Sequence, residues 1–255
     1  MEFTDTHCHL FLSEFDKDRD EAIIRGLKSR VNKIVLPNVD SSTIEGLNSL
    51  TRKYPAHCFP LMGLHPSSVE EDYRSELDKI KRSLDQGGYY GVGEIGLDFY
   101  WDRTFESEQL DALRTQLSWA LELNLPAIIH LRNSFDETIR VIEETGQGKL
   151  RGIFHCFTGN TGQANKIIEM GFYLGIGGIL TFKNSGLAET LKEVPLERIV
   201  LETDSPYLAP SPKRGKRNEP AFLPYIANKL AEIKEVDVHQ IASQTSYNAG
   251  MIFGF

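Results

Sequence analysis

The chain has 255 residues, 40% of them hydrophobic, with 28 Lys and Arg against 36 Asp and Glu, a formal net charge of −8. That length supplies a sizeable core and suits one domain over residues 1–255, while the acidic balance excludes holding polyanions through the overall field, so any nucleic acid must meet a local basic patch or metal ions. Three cysteines without CxxC spacing exclude a disulfide framework, and the lack of a leader-type or membrane-length apolar run predicts a cytoplasmic protein without membrane contact.

The first run, "MEFTDTH" (1–7), reads as a strand ending on imidazoles. Side chains alternate along a strand, so His7 and His9 face one way and Cys8 the other. "NKIVLPNV" (32–39) follows, then "CFPLMGLHP" (58–66), with His65 at its end. "YYGVGEIGLD" (89–98) carries Glu94 and Asp98 late in the run. Its glycines trace GxGxxG, but no helix follows directly, which argues against a dinucleotide site. Leu110, Leu113, Leu117, Ala120 and Leu121 keep helical spacing across 105–124. "PAIIHLR" (126–132) ends near His130, and a helix is predicted over 134–144. "RGIFHCF" (151–157) brings His155, followed by a predicted helix over 161–170. "FYLGIGGIL" (172–180) and "RIVLETD" (198–204) complete the series, the latter ending at Asp204, with a helical tail from Glu219. Ser41 and Ser134 are the expected helix N-caps.

Eight strand–helix units with apolar first halves predict an α/β protein of the (β/α)8 TIM-barrel class rather than an open doubly wound sheet. In a barrel the C-terminal strand ends converge on one face. Five of the seven histidines lie at such ends, leaving His57 and His239 elsewhere. The set His7, His9, Glu94, His130, His155 and Asp204 suits a pair of divalent cations such as Zn²⁺, Mn²⁺ or Mg²⁺. Glu94 is placed to bridge them, and Asp204 to ligate one and take a proton from an attacking water. Strand parity turns Cys8 and Cys156 away from this set.

The sequence resembles the TatD family of metal-dependent hydrolases, within the amidohydrolase-like barrels. The matching segments are "DTHCHL" (5–10), "GLHP" (63–66), "GEIGLDFYW" (93–101), "IIHLR" (128–132), "GIFHCFTG" (152–159), "LETDSPYLAP" (201–210) and "RGKRNEP" (214–220), in family order and spanning nearly the whole chain. The resemblance implies a TIM-type barrel with two metals and Mg²⁺- or Mn²⁺-supported deoxyribonuclease activity. It implies His7 and His9 as ligands of the first metal, Glu94 as the bridge, His130 and His155 as ligands of the second, and Asp204 as a first-metal ligand and base. It also places His65 beside substrate phosphate. The chain departs from the family after the HxH pair, where Phe11 and Leu12 stand in place of a frequent acidic residue.

Substrate contacts are expected from two further segments. "PKRGKR" (212–217) follows the eighth strand and puts Lys213, Arg214, Lys216 and Arg217 near the catalytic face. "DFYWDR" (98–103) offers Phe99, Tyr100 and Trp101 for stacking on unpaired bases, and Arg132 is expected to join them. A barrel mouth admits an unpaired terminus more readily than a duplex. The expected function is therefore a 3′-end-directed deoxyribonuclease acting on single-stranded DNA or nucleic-acid ends, without an obligate protein partner. The alternative is a two-metal hydrolase of carboxylic esters, lactones or amides.

Overall fold

The strands β1 (Phe3–Asp5), β2 (Val31–Pro37) and β3 (Cys58–Leu61) form one parallel ladder. A second contains β4 (Val92–Asp98), β5 (Ala127–Arg132), β6 (Gly152–Phe154), β7 (Tyr173–Ile176) and β8 (Ile199–Leu201). The computed structural model describes residues 1–100 and 102–255. Two seams join the ladders into a ring. Met62 pairs with Val92 between β3 and β4, and Cys8 pairs with Ser205 beyond the ends of β1 and β8. Across the second seam Thr6 N donates to Leu201 O at 3.0 Å, Asp204 N to His7 O at 2.9 Å and His9 N to Ser205 O at 2.7 Å. The architecture is the expected (β/α)8 barrel.

The helices α1 (Arg19–Lys28), α2 (Ile44–Lys53), α3 (Tyr73–Leu84), α4 (Glu106–Glu122), α5 (Phe135–Gly146), α6 (Thr161–Glu169) and α7 (Leu187–Glu193) separate successive strands. After β8 come α8 (Leu223–Lys234) and α9 (Val238–Phe253). Apolar spacing predicts α4, α5 and α6 to within two residues at each end. A capping box starts α6, with Asn160 and Gln163 exchanging side-chain and backbone hydrogen bonds at 3.0 Å. The two serines behave otherwise than expected. Ser41 lies before α2, whose N-cap is Thr43. Ser134 holds the N-cap position of α5, yet its hydroxyl donates to Leu97 O at 2.9 Å, tying α5 to β4 instead of closing its own helix. Among the described residues no helix is long and apolar enough to cross a membrane.

Several expected strands overrun the ladder at their C-terminal ends. β3 stops at Leu61, β6 at Phe154 and β8 at Leu201, where the sequence runs continue to 66, 157 and 204. The residues beyond the ladder carry polar side chains, and the backbone leaves pairing to turn them into the mouth. Below, Val35, Phe59, Leu61, Ile128, Ile153 and Val200 fill the ring together with Ile252 and Phe253 of α9. Burial of each such aliphatic side chain contributes about 1.5–3 kcal/mol. α9 is fixed across the N-terminal end by Asn248 Nδ2, which donates to Leu196 O at 2.9 Å and Ile199 O at 2.7 Å. Two residues further on, within β5 and one residue past the ends of β6 and β8, the inward position changes from apolar to polar: Ile128 precedes His130, Ile153 precedes His155 and Val200 precedes Glu202. The core and the polar mouth are thus built on the same period-two register.

Candidate metal centre

His7 and His9 lie just beyond β1, where the seam to the β8 end fixes them. Buried Asp5 anchors that seam by accepting from Thr203 N at 2.9 Å and Thr203 Oγ1 at 2.6 Å. Burial pushes the Asp5 carboxyl up to about 7, against the pull of those hydrogen bonds. Parity holds for the histidine pair: both rings turn inward and their Nε2 atoms approach to 3.1 Å. The His7 ring also stacks on His155 with centroids 3.8 Å apart.

Glu94, at the third position of β4, is buried and faces two ways. Its Oε2 is 3.0 Å from His7 Nε2 and 3.6 Å from His9 Nε2. Its Oε1 is 2.8 Å from His130 Nδ1, 2.8 Å from His155 Nε2 and 3.3 Å from His65 Nε2. Asp204, held in the left-handed region at φ 55°, places Oδ1 3.7 Å from His9 Nε2 and 3.9 Å from His7 Nε2. The six residues read as a set in the sequence therefore meet at one rim.

Two carboxylates orient the histidines from outside this cluster. Asp98 Oδ2 is 3.2 Å from His130 Nε2, and Glu202 Oε1 is 3.4 Å from His155 Nδ1. Glu202 is wholly buried, and its Oε1 also accepts Cys156 N at 2.6 Å. Asp98 draws the outward ring proton of His130 and leaves its inward nitrogen lone pair directed at Glu94, while Glu202 faces the buried His155 Nδ1 as a neighbouring charge. Lone pairs facing a carboxylate at 2.8 Å repel unless a proton or a cation lies between them. Burial disfavours protonation of His155, but the Glu94 charge and the contact with Glu202 hold its pKa well above the usual imidazole value. His9 goes the other way, lowered to about 4 by burial. Burial also pushes the Asp204 carboxyl up to about 8, opposed by His155 and reinforced by the Glu94 charge.

Three groups converge closely enough to ligate an ion: His7, His9 and Glu94; His7, His155 and Asp204; and His65, Glu94 and His130, each with its ligand atoms within 4.8 Å of one another. Nitrogen and carboxylate oxygen in this mixture suit divalent cations of borderline or hard character. The Nε2 atoms of His7 and His9 both face Glu94 Oε2, so a cation held there would take both lone pairs and leave the ring protons on Nδ1. The donor set fits the metals that the sequence implies. His65 differs from the rest. Its Nδ1 accepts Ser67 N–H at 3.0 Å, which puts the proton of the neutral ring on Nε2, a donor aimed into the cluster.

The cluster floors a cleft of about 630 Å³, with Arg132, Thr158, Tyr207 and Leu208 on its walls. Tyr207, half exposed and 6.4 Å from the His9 ring, was not anticipated from the sequence, nor was Glu202. Glu202 had a usable signal in its position two residues past Val200; Tyr207 had none beyond following Asp204. Cys156 borders the cleft instead of turning away, because β6 ends at Phe154 and strand parity lapses before the left-handed residue at 156. Tyr100 lies beside the mouth, with the Arg132 guanidinium 3.9 Å over its ring; Trp101 falls outside the described residues. Two arginines of the basic run are engaged by the loops after β1 and β7. Arg217 is bonded to Asp18 at 2.6 and 2.8 Å and lies over the Phe15 ring, so its charge is neutralised within the fold. Arg214 lies over Phe182 at 4.2 Å, and neither arginine lines the cleft.

A sequence profile of the family described as TatD related DNase matches residues 4–254. The chain is 38% identical over 250 residues to the uncharacterized metal-dependent hydrolase YabD of Bacillus subtilis, covering 98% of each. It is 32% identical over 256 residues to the 3'-5' ssDNA/RNA exonuclease TatD of Escherichia fergusonii, again covering 98% of each. Among solved structures, the TatD homolog YJJV of Escherichia coli superposes with a TM-score of 0.93 at 26% identity, over 99% of this chain and 98% of that one.

Proposed function

The chain belongs to the TatD-related DNase family of metal-dependent hydrolases, and from that premise we propose that its mouth holds two divalent cations and shortens unpaired DNA from the 3′ end. The observation that carries this reading is Glu94, whose two oxygens face separate sets of histidines. His7, His9 and Asp204 would hold one ion, and His130 and His155 the other, with Glu94 shared. The ions supply charge stabilisation and a more acidic water. Asp204 takes the proton from the attacking water at its carboxylate. The His65 Nε2–H and the Arg132 guanidinium hold the scissile phosphate oxygens and orient phosphorus toward that water. The P–O bond to the penultimate sugar breaks, the leaving 3′ oxygen takes a proton from solvent water, and a 5′-mononucleotide departs while Asp204 returns its proton to solvent. A relative carrying the 3'-5' ssDNA/RNA exonuclease name supports this direction of attack.

The test uses a 5′-labelled single strand and the chelated protein resupplied with Mg²⁺, Mn²⁺ or Zn²⁺. A ladder shrinking from the 3′ end is expected, with duplex ends cut more slowly. No shortening with any ion, alongside hydrolysis of a simple carboxylic ester, would replace nuclease with esterase. Glu202→Gln tests the outer support of the centre. It is expected to weaken Mn²⁺ binding about ten- to a hundredfold by titration calorimetry while the circular dichroism spectrum stays unchanged.

A further inference from the structure

A second cleft of about 450 Å³ adjoins the metal cleft, and Leu131, Arg132, Cys156 and Thr158 line both. Its floor is Phe154 and Ile167, both buried, and its walls include Tyr100, Phe135 and Phe157. Asn133 and Gln163 place amide groups among these apolar surfaces. Gly159 keeps the space open, since a Cβ there would stand 2.8 Å from the Phe157 ring and 2.6 Å from Gln163 Oε1. The loops after β4, β5 and β6 supply the exposed part of the lining, so the cleft sits on the same face as the metal centre.

We propose that this second cleft binds the base of the penultimate nucleotide, so that the enzyme grips two nucleotides of the 3′ end with Arg132 between them. The proposal rests on the nuclease reading above. A flat aromatic base matches a slot walled by rings, and stacking accepts any base sequence. Arg132 borders both clefts while its guanidinium lies on Tyr100, which fixes a cation where the linking phosphate must cross the ridge. The direction follows from the bond that breaks. The departing 5′-mononucleotide keeps the attacked phosphate and so stays with the metal cleft, floored by His9, Glu94, His155 and Asp204. The strand that remains begins at the next sugar, so the adjoining cleft takes the upstream nucleotide and passes the chain out over exposed Tyr100 and Asn133.

The test places 2-aminopurine at the first, second or third position from the 3′ end of a single strand whose terminal linkage is a phosphorothioate. Mixed with the full chain and Mn²⁺, the second-position probe is expected to lose the most fluorescence, the stacking signal. Phe135→Ala and, at a half-exposed surface position, Tyr100→Ala are each expected to remove that loss and raise KM for an unmodified oligonucleotide about tenfold. If oligonucleotides are shortened but the second-position signal and both KM values stay unchanged, the subsite is overturned and the nuclease reading stands. If no oligonucleotide is shortened at all, the nuclease reading fails and the subsite falls with it.

Discussion

Glu94→Gln is expected to lower turnover at least about a thousandfold, close to 4 kcal/mol of transition-state stabilisation, and to weaken binding of both cations together. The joint loss is the distinctive part. One carboxylate lies within 3.0 Å of His7 on one side and 2.8 Å of His130 and His155 on the other, so its charge is shared by both halves of the centre. Glutamine keeps the shape and loses the charge. In the metal-free protein the same change takes away the main influence raising the His155 pKa, which is therefore expected to fall when followed by NMR. If the variant loses only one of two bound ions, or His155 titrates as before, Glu94 is a ligand on one side and not the shared bridge.

The barrel and its six-residue cluster were legible in the sequence because both depend on period-two alternation within short runs, a local property. Ile128 before His130 shows the core giving way to the site within one strand, and Ile153 before His155 keeps the same register one residue past the end of β6. What was not legible depended on contacts between distant segments. Arg217 looks like a free cation in "PKRGKR", but Asp18, nearly two hundred residues earlier, folds against it. The same holds for Cys156, where parity fails once the backbone turns left-handed at the end of a three-residue strand. Glu202 lay between the two, visible by parity yet overshadowed by Asp204 in the same motif.

Asp204→Asn is expected to retain the fold, lose turnover by about a thousandfold and change how the metal-free protein responds to pH. Burial pushes this carboxyl up to about 8 from an ordinary value of 3.8. The folded metal-free protein therefore keeps a proton that the unfolded chain releases above about pH 4. The resulting stabilisation is fully present below that pH and is lost as pH rises through about 8. Asparagine holds no such proton, so the unfolding temperature of the chelated variant is expected to decline less steeply across this window. Asp5, pushed up to about 7, and His155, held above the usual imidazole value, give a decline of the same sign in both proteins, while His9, lowered to about 4, opposes it below about pH 6.5. Cation binding reverses the preference at Asp204, because a neighbouring positive charge favours the carboxylate. Metal affinity of the parent should thus rise with pH up to about 8, releasing a proton that calorimetry in buffers of different ionisation heats can count. Equal proton release and equal pH slopes in parent and variant would mean that Asp204 neither ligates the ion nor receives the proton of the attacking water.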